Sequence, residues 1–150
     1  MGSISIRELQ ESDYANWSQL WMGYNAFYGR SGANTLSAVI SETTWKRFFD
    51  TTEPVHALVA DLDGHSLLAH YLFHRSTSDP TTCYLQDLYT AEQSRGLGVG
   101  RELILAVCHR ATAAGSSRVY WQTHETNSAA IDLYNKVAER SGFIVYRKML

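Results

Sequence analysis

Three glycines stand at alternate positions where an apolar stretch gives way to a helical pattern, and this junction constrains the fold most strongly. The stretch reads "DLYTAEQSRGLGVGRELI", with Gly96, Gly98 and Gly100 at the start of the helix. Glycine adopts positive φ readily and lets a ligand approach the main chain. A helix N-terminus adds unpaired N–H groups and partial positive charge. The junction therefore predicts a phosphate or pyrophosphate site, to which Arg95 and Arg101 would add charge.

The same glycines also fit a plain tight turn between strand and helix, and this alternative stays open at the level of sequence. Two common nucleotide motifs do not fit. A Walker A loop needs Gly-Lys-Ser or Gly-Lys-Thr, which the stretch lacks. A dinucleotide-binding fold has its glycines after the first strand, whereas these come about two-thirds of the way along the chain.

The rest of the chain predicts an α/β (α+β) fold with the element order β-α-α-β-β-β-α-β-α-β. Helical spacing of apolar residues predicts helices at 11–29, 38–51, 98–115 and 127–142. Apolar runs and alternation predict strands at 4–10, on both sides of the Asp-Gly turn within 55–75, and at 81–90, 118–124 and 143–148. The early hairpin and the later β-α-β crossover together predict a mixed sheet.

Composition favours one domain spanning residues 1–150. The chain is 45% hydrophobic and carries a net charge of −2, so it can bury a core and lacks the basic footprint of a nucleic-acid binder. No apolar stretch approaches the roughly 20 residues that span a bilayer, and the first residues lack a secretion signal. Cys83 and Cys108 have no CxxC spacing, as is typical of reduced thiols. We expect a cytoplasmic protein without nucleic-acid or membrane partners.

Two motifs in this order resemble the GNAT superfamily of acetyl-CoA-dependent N-acetyltransferases. Arg95, Gly98 and Gly100 match its pyrophosphate loop, Arg/Gln-x-x-Gly-x-Gly/Ala. Further along, "NSAAIDLYNKV" matches its Asn-x-x-Ala-x-x-x-Tyr pattern with Asn127 and Tyr134. The resemblance implies a mixed, mostly antiparallel central sheet flanked by helices, with acetyl-CoA as co-substrate. It implies no metal, and "HETNS" lacks the second histidine of a zinc protease motif.

The opening "IRELQESDYANWSQLWMGYNAFY", "VYWQTHETN" and the terminal "FIVYRK" resemble a small GNAT branch that includes fungal histone, polyamine and D-amino-acid acetyltransferases. The loop motif also fits a second register, Gln93, Gly96 and Gly98. We prefer the first register because it places Leu103 and Ile104 inward on the helix. One departure is "YNKVAERSGF", three residues longer than the family's Tyr-x-Lys-x-Gly-Phe.

The resemblance implies roles for particular residues. The cofactor site would consist of Leu88, Tyr89, Thr90, Arg95, Gly96, Gly98, Val99, Gly100, Arg101, Asn127 and Tyr134. The backbone of Leu88 or Tyr89 would hold the pantetheine arm and polarise the thioester oxygen. Tyr134 would donate a proton to the departing thiolate, since a phenol of pKa about 10 is protonated at pH 7 and a thiol titrates near about 8.5. Tyr134 could instead be a core tyrosine, and Asn127 a helix N-cap.

The base that takes the amine's proton stays open between two carboxylates. A primary ammonium of pKa about 10.4 must lose a proton before attack. Asp87 precedes the loop and Glu125 ends "YWQTHE", so both are expected near the thioester. Either could instead form a salt bridge or bind a cationic substrate. His124 has suitable chemistry but a weaker position.

The acceptor is expected to be a primary amine on an amino acid or a polyamine, attacked directly in a ternary complex. A protein or histone lysine is the alternative acceptor, and a noncatalytic acyl-CoA-binding module the alternative class. One aromatic group would either wall the acceptor pocket or, as is commoner, form core: Trp17, Trp21, Tyr24, Phe27 and Tyr28. Exposed aromatics and "FIVYRK" suggest a homodimer.

Overall fold

The computed structural model describes residues 4–62, 65–90, 96 and 98–150. Within these ranges, five strands form one sheet in chain order, β1 to β5. The strands are β1 Ser5–Glu8, β2 Val55–Leu62, β3 His65–His74, β4 Thr82–Thr90 and β5 Val119–Tyr120, and the α-helices are α1 Tyr14–Phe27, α2 Ala38–Arg47, α3 Val99–Ala113 and α4 Ser128–Val137. All neighbouring strands are antiparallel except β4 and β5, which are parallel. The mixed, mostly antiparallel sheet flanked by helices is confirmed.

The two faces of the sheet carry different cores. On one face, α3 buries Leu103, Ile104 and Val107 against aliphatic residues of β2 and β3. On the other face, α1 packs Trp17 and Trp21 against the sheet, with Trp45 of α2 and the two phenylalanines directly after α2 around them. The predicted inner stripe of α3 is confirmed, because residues three and four apart share one side of a helix.

Strand β4 changes its facing direction in the middle. Leu85 pairs with Tyr71 and Asp87 pairs with His70, so Gln86 is an extra residue in a β-bulge. Strict alternation would put Asp87 on the same face as Leu85. After the bulge Leu88 instead joins the α3 core, and Asp87 pairs with His70 on the α1 face. The bulge thus turns the Asp87 carboxylate toward α1.

The C-terminal part of the chain departs from the sequence-based expectation. The predicted strand at 143–148 is wrong, because residues 138–150 contain neither helix nor strand. A strand needs a neighbouring ladder for its N–H and C=O groups, and β5 pairs over only two residues, on its β4 side. The predicted strand at 118–124 and the predicted helix at 127–142 are likewise shorter, since α4 ends where Ala138 becomes extended.

Other expectations concern the hairpin and the thiols. Strands β2 and β3 pair antiparallel up to Leu62 and His65, as predicted, and the Asp-Gly turn itself lies outside the described residues. Cys83 is buried and Cys108 half-buried, and neither forms a disulfide. Burial raises the pKa of the Cys83 thiol to about 11, so this thiol is protonated at neutral pH. In the part of the chain described here, no helix has both the length and the apolarity to cross a bilayer.

Candidate active site

A cleft of about 530 Å³ lies between the end of β4, the start of α3 and helix α4. Its volume falls in the usual range for small-molecule and cofactor sites. Strand β5 pairs with β4 only at Cys83 and Tyr84, so within the described residues β5 does not cover the edge of β4 beyond them. The cleft contains most of the predicted cofactor residues: Leu88, Tyr89, Thr90, Gly96, Gly98, Val99, Gly100, Arg101, Asn127 and Tyr134. Arg95, and Gln93 of the second register, lie outside the described residues.

The glycine junction forms the wall of this cleft. Gly96 and Gly98 have φ values of 80° and 76°, which favour glycine. A Cβ at either would meet no atom within 4 Å in the described part of the chain, so these residues leave the main chain bare on that side. Gly98 is the N-cap of α3 and supplies no side chain to its first-turn N–H groups. Gly100 has another role, since a Cβ there would lie 3.4 Å from Leu133 of α4.

A bare helix N-terminus that opens into a cleft is suited to a phosphate group. Arg101 lines the same cleft and is exposed, so its guanidinium adds positive charge at this end. A plain tight turn would not require the helix start to face a cavity. The geometry therefore favours the anion-site interpretation of the glycines over the turn alone.

Substituting Gly98 with Ala should weaken CoA binding roughly tenfold or more, because alanine disfavours the positive φ that presents the first-turn N–H groups to the cleft. The backbone strain also costs about 1–2 kcal/mol of stability. Gly115→Ala is the matched control: Gly115 has φ 86°, its added Cβ would meet no atom within 4 Å, and it follows the far end of α3. Calorimetric titration with CoA and thermal melting separate the effects. Equal loss of affinity in both variants would contradict the anion site.

Tyr134 joins the cleft to a second, smaller cavity. This cavity, of about 40 Å³, lies between β4 and residues 121–122 and is also lined by Tyr24 and Tyr28. The ring of Trp121 packs edge-on against Tyr134 with the centroids 5.4 Å apart. Burial raises the pKa of Tyr134, and the nearby Tyr28 phenol raises it further. The Tyr134 phenol is therefore protonated at neutral pH, as a proton donor must be.

Asn127 directly precedes α4, the helix that carries Tyr134. Asn127 occupies the N-cap position of α4, but its side chain makes no capping hydrogen bond. The residue lines the large cleft instead. The Asn127 side chain therefore does not cap the helix, although a purely capping role was the structural alternative for this residue.

The first candidate base, Asp87, lines neither cavity itself but lies beside Tyr24, which lines both. Asp87 Oδ2 is 2.9 Å from His70 Nδ1. The Asp87 carboxylate lies close enough to the Tyr24 phenol to raise its pKa, and Tyr24 lines both cavities. Burial, followed by the Asp87 carboxylate, raises the pKa of Tyr24 far above its ordinary value. Tyr24 thus connects Asp87 to the space next to Tyr134.

The other candidate bases lie elsewhere. Glu125 and His124 are exposed in the turn before α4, and neither lines either cavity. His124 Nδ1 is 2.7 Å from Thr126 Oγ1 within the same turn. The structure therefore separates Asp87 and Glu125, which the sequence left equal.

The N-terminal aromatic group divides between core and site. Trp17 and Trp21 are buried core residues. Tyr24, Phe27 and Tyr28 line the large cleft. Their half of α1 approaches β4 closely because of Gly23, where a Cβ would come within 2.5 Å of the Tyr89 hydroxyl. Tyr24 is itself buried in the core with Trp17 and Trp21, so core packing and cleft lining overlap at this residue, and the acceptor-pocket role stays a prediction.

Sequence reasoning missed His70, Trp121 and Arg30. The Arg30 guanidinium lies 5.8 Å and 5.7 Å from the ring centroids of Tyr24 and Tyr28, so it adds a cation near the cavities. The signal for His70 was a single polar residue inside the apolar run "LLAHYL". Trp121 follows directly after β5. It was missed because it lies within the strand predicted at 118–124 and was not considered separately.

The fold and the site define an α/β protein in which a glycine-rich helix start and a protonated tyrosine line one cleft. Residues 5–138 match the acetyltransferase (GNAT) family model, and the chain belongs to this family. It is 34% identical over 149 residues to the D-amino-acid N-acetyltransferase HPA3 of Saccharomyces cerevisiae, covering 97% of this chain and 90% of that protein. It is 27% identical to the thialysine N-epsilon-acetyltransferase of Sus scrofa, covering 93% and 86% of the two chains.

A solved structure shares the fold. The aminoglycoside N-acetyltransferase AAC(6')-Iy in complex with CoA superposes with a TM-score of 0.78 at 15% identity, covering 99% of this chain and 96% of that one. With the family match and the named relatives, the chain is an acetyl-transferring enzyme, an N-acetyltransferase of the GNAT family.

Proposed function

We propose that this enzyme transfers acetyl from acetyl-CoA to the primary amine of a small molecule, an amino acid or a polyamine, by direct attack in a ternary complex. The observation that carries the proposal is the position of Tyr134, which lines both the large cleft and the small cavity. Two relatives support a small amine, since they are named for acetylation of D-amino acids and of thialysine.

Acetyl-CoA fits the large cleft on chemical grounds. The start of α3 offers bare N–H groups for phosphates, and Arg101 adds positive charge. Leu88 and Tyr89 belong to the part of β4 that β5 does not cover, so their backbone groups suit an amide-containing arm. When bound, acetyl-CoA supplies the acetyl group as an activated thioester. The residues that would hold it are Leu88, Tyr89, Thr90, Gly96, Gly98, Val99, Gly100, Arg101 and Asn127, together with Arg95.

The chain's own residues divide the proton transfers. Tyr134 holds a proton beside the small cavity and is the general acid for the leaving sulfur. Asp87 is the general base, acting through Tyr24. The Tyr24 oxygen receives a proton from the acceptor ammonium while its own proton passes to the Asp87 carboxylate. The amine becomes neutral, the Tyr24 phenol is unchanged and Asp87 ends protonated. After the attack, the second proton that the nitrogen loses on forming the amide replaces the proton that Tyr134 gives to the sulfur, so CoA leaves as a thiol and the protons balance.

The alkaline limb of kcat should lie above pH 10. Tyr134 is active while protonated, and its raised pKa means that the proton is lost only above the ordinary tyrosine value of about 10. Steady-state rates measured from pH 6 to 11 with a saturating acceptor test this. A limb below pH 9 that disappears in Tyr134→Phe would contradict the assignment.

The acceptor class is tested with a panel of amines. Initial rates with D- and L-amino acids, thialysine, spermidine and a lysine-containing histone peptide are compared at fixed acetyl-CoA. We expect kcat/KM for at least one small amine to exceed that for the peptide by about tenfold or more, because the cavity beside Tyr134 is small. A faster peptide would favour the lysine acetyltransferase alternative.

The oligomeric state and the location are proposals of the same kind. We expect a homodimer, supported by the exposed apolar side chains of Phe143, Ile144 and Val145 near the C-terminus. Gel filtration with light scattering tests it, and a monomer alone would remove it. A cytoplasmic location is expected from the two unpaired thiols.

A further inference from the structure

A buried histidine that the proposed proton path does not use lies behind Asp87. His70 on β3 is 2% exposed. Its ring is surrounded by aromatic rings, with centroid distances of 4.6 Å to Phe48, 5.2 Å to Trp21 and 6.2 Å to Trp17. These contacts hold the imidazole in one orientation.

The hydrogen bonds of His70 define its tautomer. Trp17 Nε1 lies 3.0 Å from His70 Nε2, and an indole N–H can only donate. Nε2 therefore accepts and carries no proton, so the ring is neutral with its proton on Nδ1. The Nδ1–H donates to Asp87 Oδ2 at 2.9 Å. The pair has the spacing of an ion pair, but the indole donor makes it a hydrogen bond between a neutral imidazole and a carboxylate.

His70 cannot itself take a proton from the acceptor. Its Nε2 lone pair is engaged by Trp17, and its Nδ1 already carries a proton. The imidazole lines neither cavity. Among the described residues, the titratable groups that face Asp87 are His70 from β3, Tyr24 from α1 and Tyr28 directly after α1. The apolar ring of Phe48, directly after α2, packs against His70.

We propose that His70 is a positioning residue for acetyl transfer: locked by Trp17 with its proton on Nδ1, it orients the Asp87 carboxylate toward Tyr24. The inference rests on the proposed role of Asp87 as the base. The Gln86 bulge makes the contact possible, because it sets Asp87 directly opposite His70. A fixed donor behind the carboxylate keeps its oxygens from turning to other partners.

Two substitutions of similar size test the donor. In His70→Asn the amide nitrogen lies near the former Nδ1 and can donate to Asp87, whereas His70→Leu cannot donate. Both leave the Trp17 N–H without its acceptor, so they are matched in that defect. We expect His70→Leu to lose about 10- to 100-fold in kcat/KM relative to His70→Asn, the effect of one hydrogen bond to a charged group.

The pH profile gives a readout that general destabilisation would not move. The acid limb of kcat/KM in His70→Leu should shift upward by on the order of one pH unit, because the carboxylate has lost a donor to its charged form. The limb in His70→Asn should stay near that of the wild type. Equal kcat/KM values and unshifted limbs in both variants would reduce His70 to a core residue and overturn the proposal.

A measurement on the unaltered protein covers the case in which the variants do not fold. Long-range ¹H–¹⁵N correlation spectra report the tautomer of each histidine. We expect His70 to show a proton on Nδ1 and none on Nε2. An imidazolium, or a proton on Nε2, would overturn the inference without reference to activity. Absence of acetyl transfer by the wild type would count against the proposed function instead, so the two failures are distinguishable.

Discussion

Replacing Tyr134 with Phe is expected to lower kcat about 100- to 10,000-fold, the usual contribution of a positioned general acid. The affinity for CoA should change little, because the ring and its packing against Trp121 are kept. Burial raises the pKa of the Tyr134 phenol, so the proton is available at neutral pH. Steady-state kinetics and calorimetric titration with CoA measure the two quantities on the same protein.

Tyr14→Phe is the matched control for Tyr134. Tyr14 is 48% exposed, begins α1 and lines neither cavity, so loss of its hydroxyl should leave kcat within about twofold. If Tyr134→Phe kept full turnover, the leaving sulfur would take its proton from another donor. If CoA affinity fell in proportion to kcat, Tyr134 would be a binding residue rather than an acid.

The second large effect is expected at Asp87. Asp87→Asn should lower kcat/KM about 100- to 1,000-fold, because the amide keeps the volume and can still accept from His70, but it cannot take a proton. Glu125→Gln should stay within about twofold, since Glu125 is exposed and lines neither cavity. Initial rates over a range of acceptor concentrations measure both variants.

The two carboxylate variants together decide the base. A large loss in Glu125→Gln with little change in Asp87→Asn would reverse the assignment and remove the role of His70. Small effects in both would point to a water chain as the proton acceptor. The result expected from the structure is a large effect at Asp87 alone.

Most of the fold could be predicted from the sequence because its elements have local causes. The spacing in α1 and α3 predicted which residues face the sheet, since helical geometry alone decides which side chains share a face. The antiparallel pairing of β2 and β3 was likewise predicted from a short turn. The strand at 143–148 was predicted wrongly, because strand formation depends on a distant partner and periodicity does not reveal one.

The sequence by itself determined the glycine junction and the spacing of Asn127 and Tyr134. Positive φ belongs to Gly98 through its missing side chain, and seven residues of helix set Tyr134 about two turns from Asn127. Only the tertiary structure decided where the two candidate carboxylates lie: Asp87 faces His70, and Glu125 is exposed in the turn before α4. The bulge at Gln86 arises from the pairing register of β4 with β3. The one extra residue there moves each following side chain of β4 to the opposite face of the sheet. After a bulge, the face on which a side chain lies depends on how the two strands pair. The sequence of β4 alone therefore could not show that Asp87 lies on the same face of the sheet as His70.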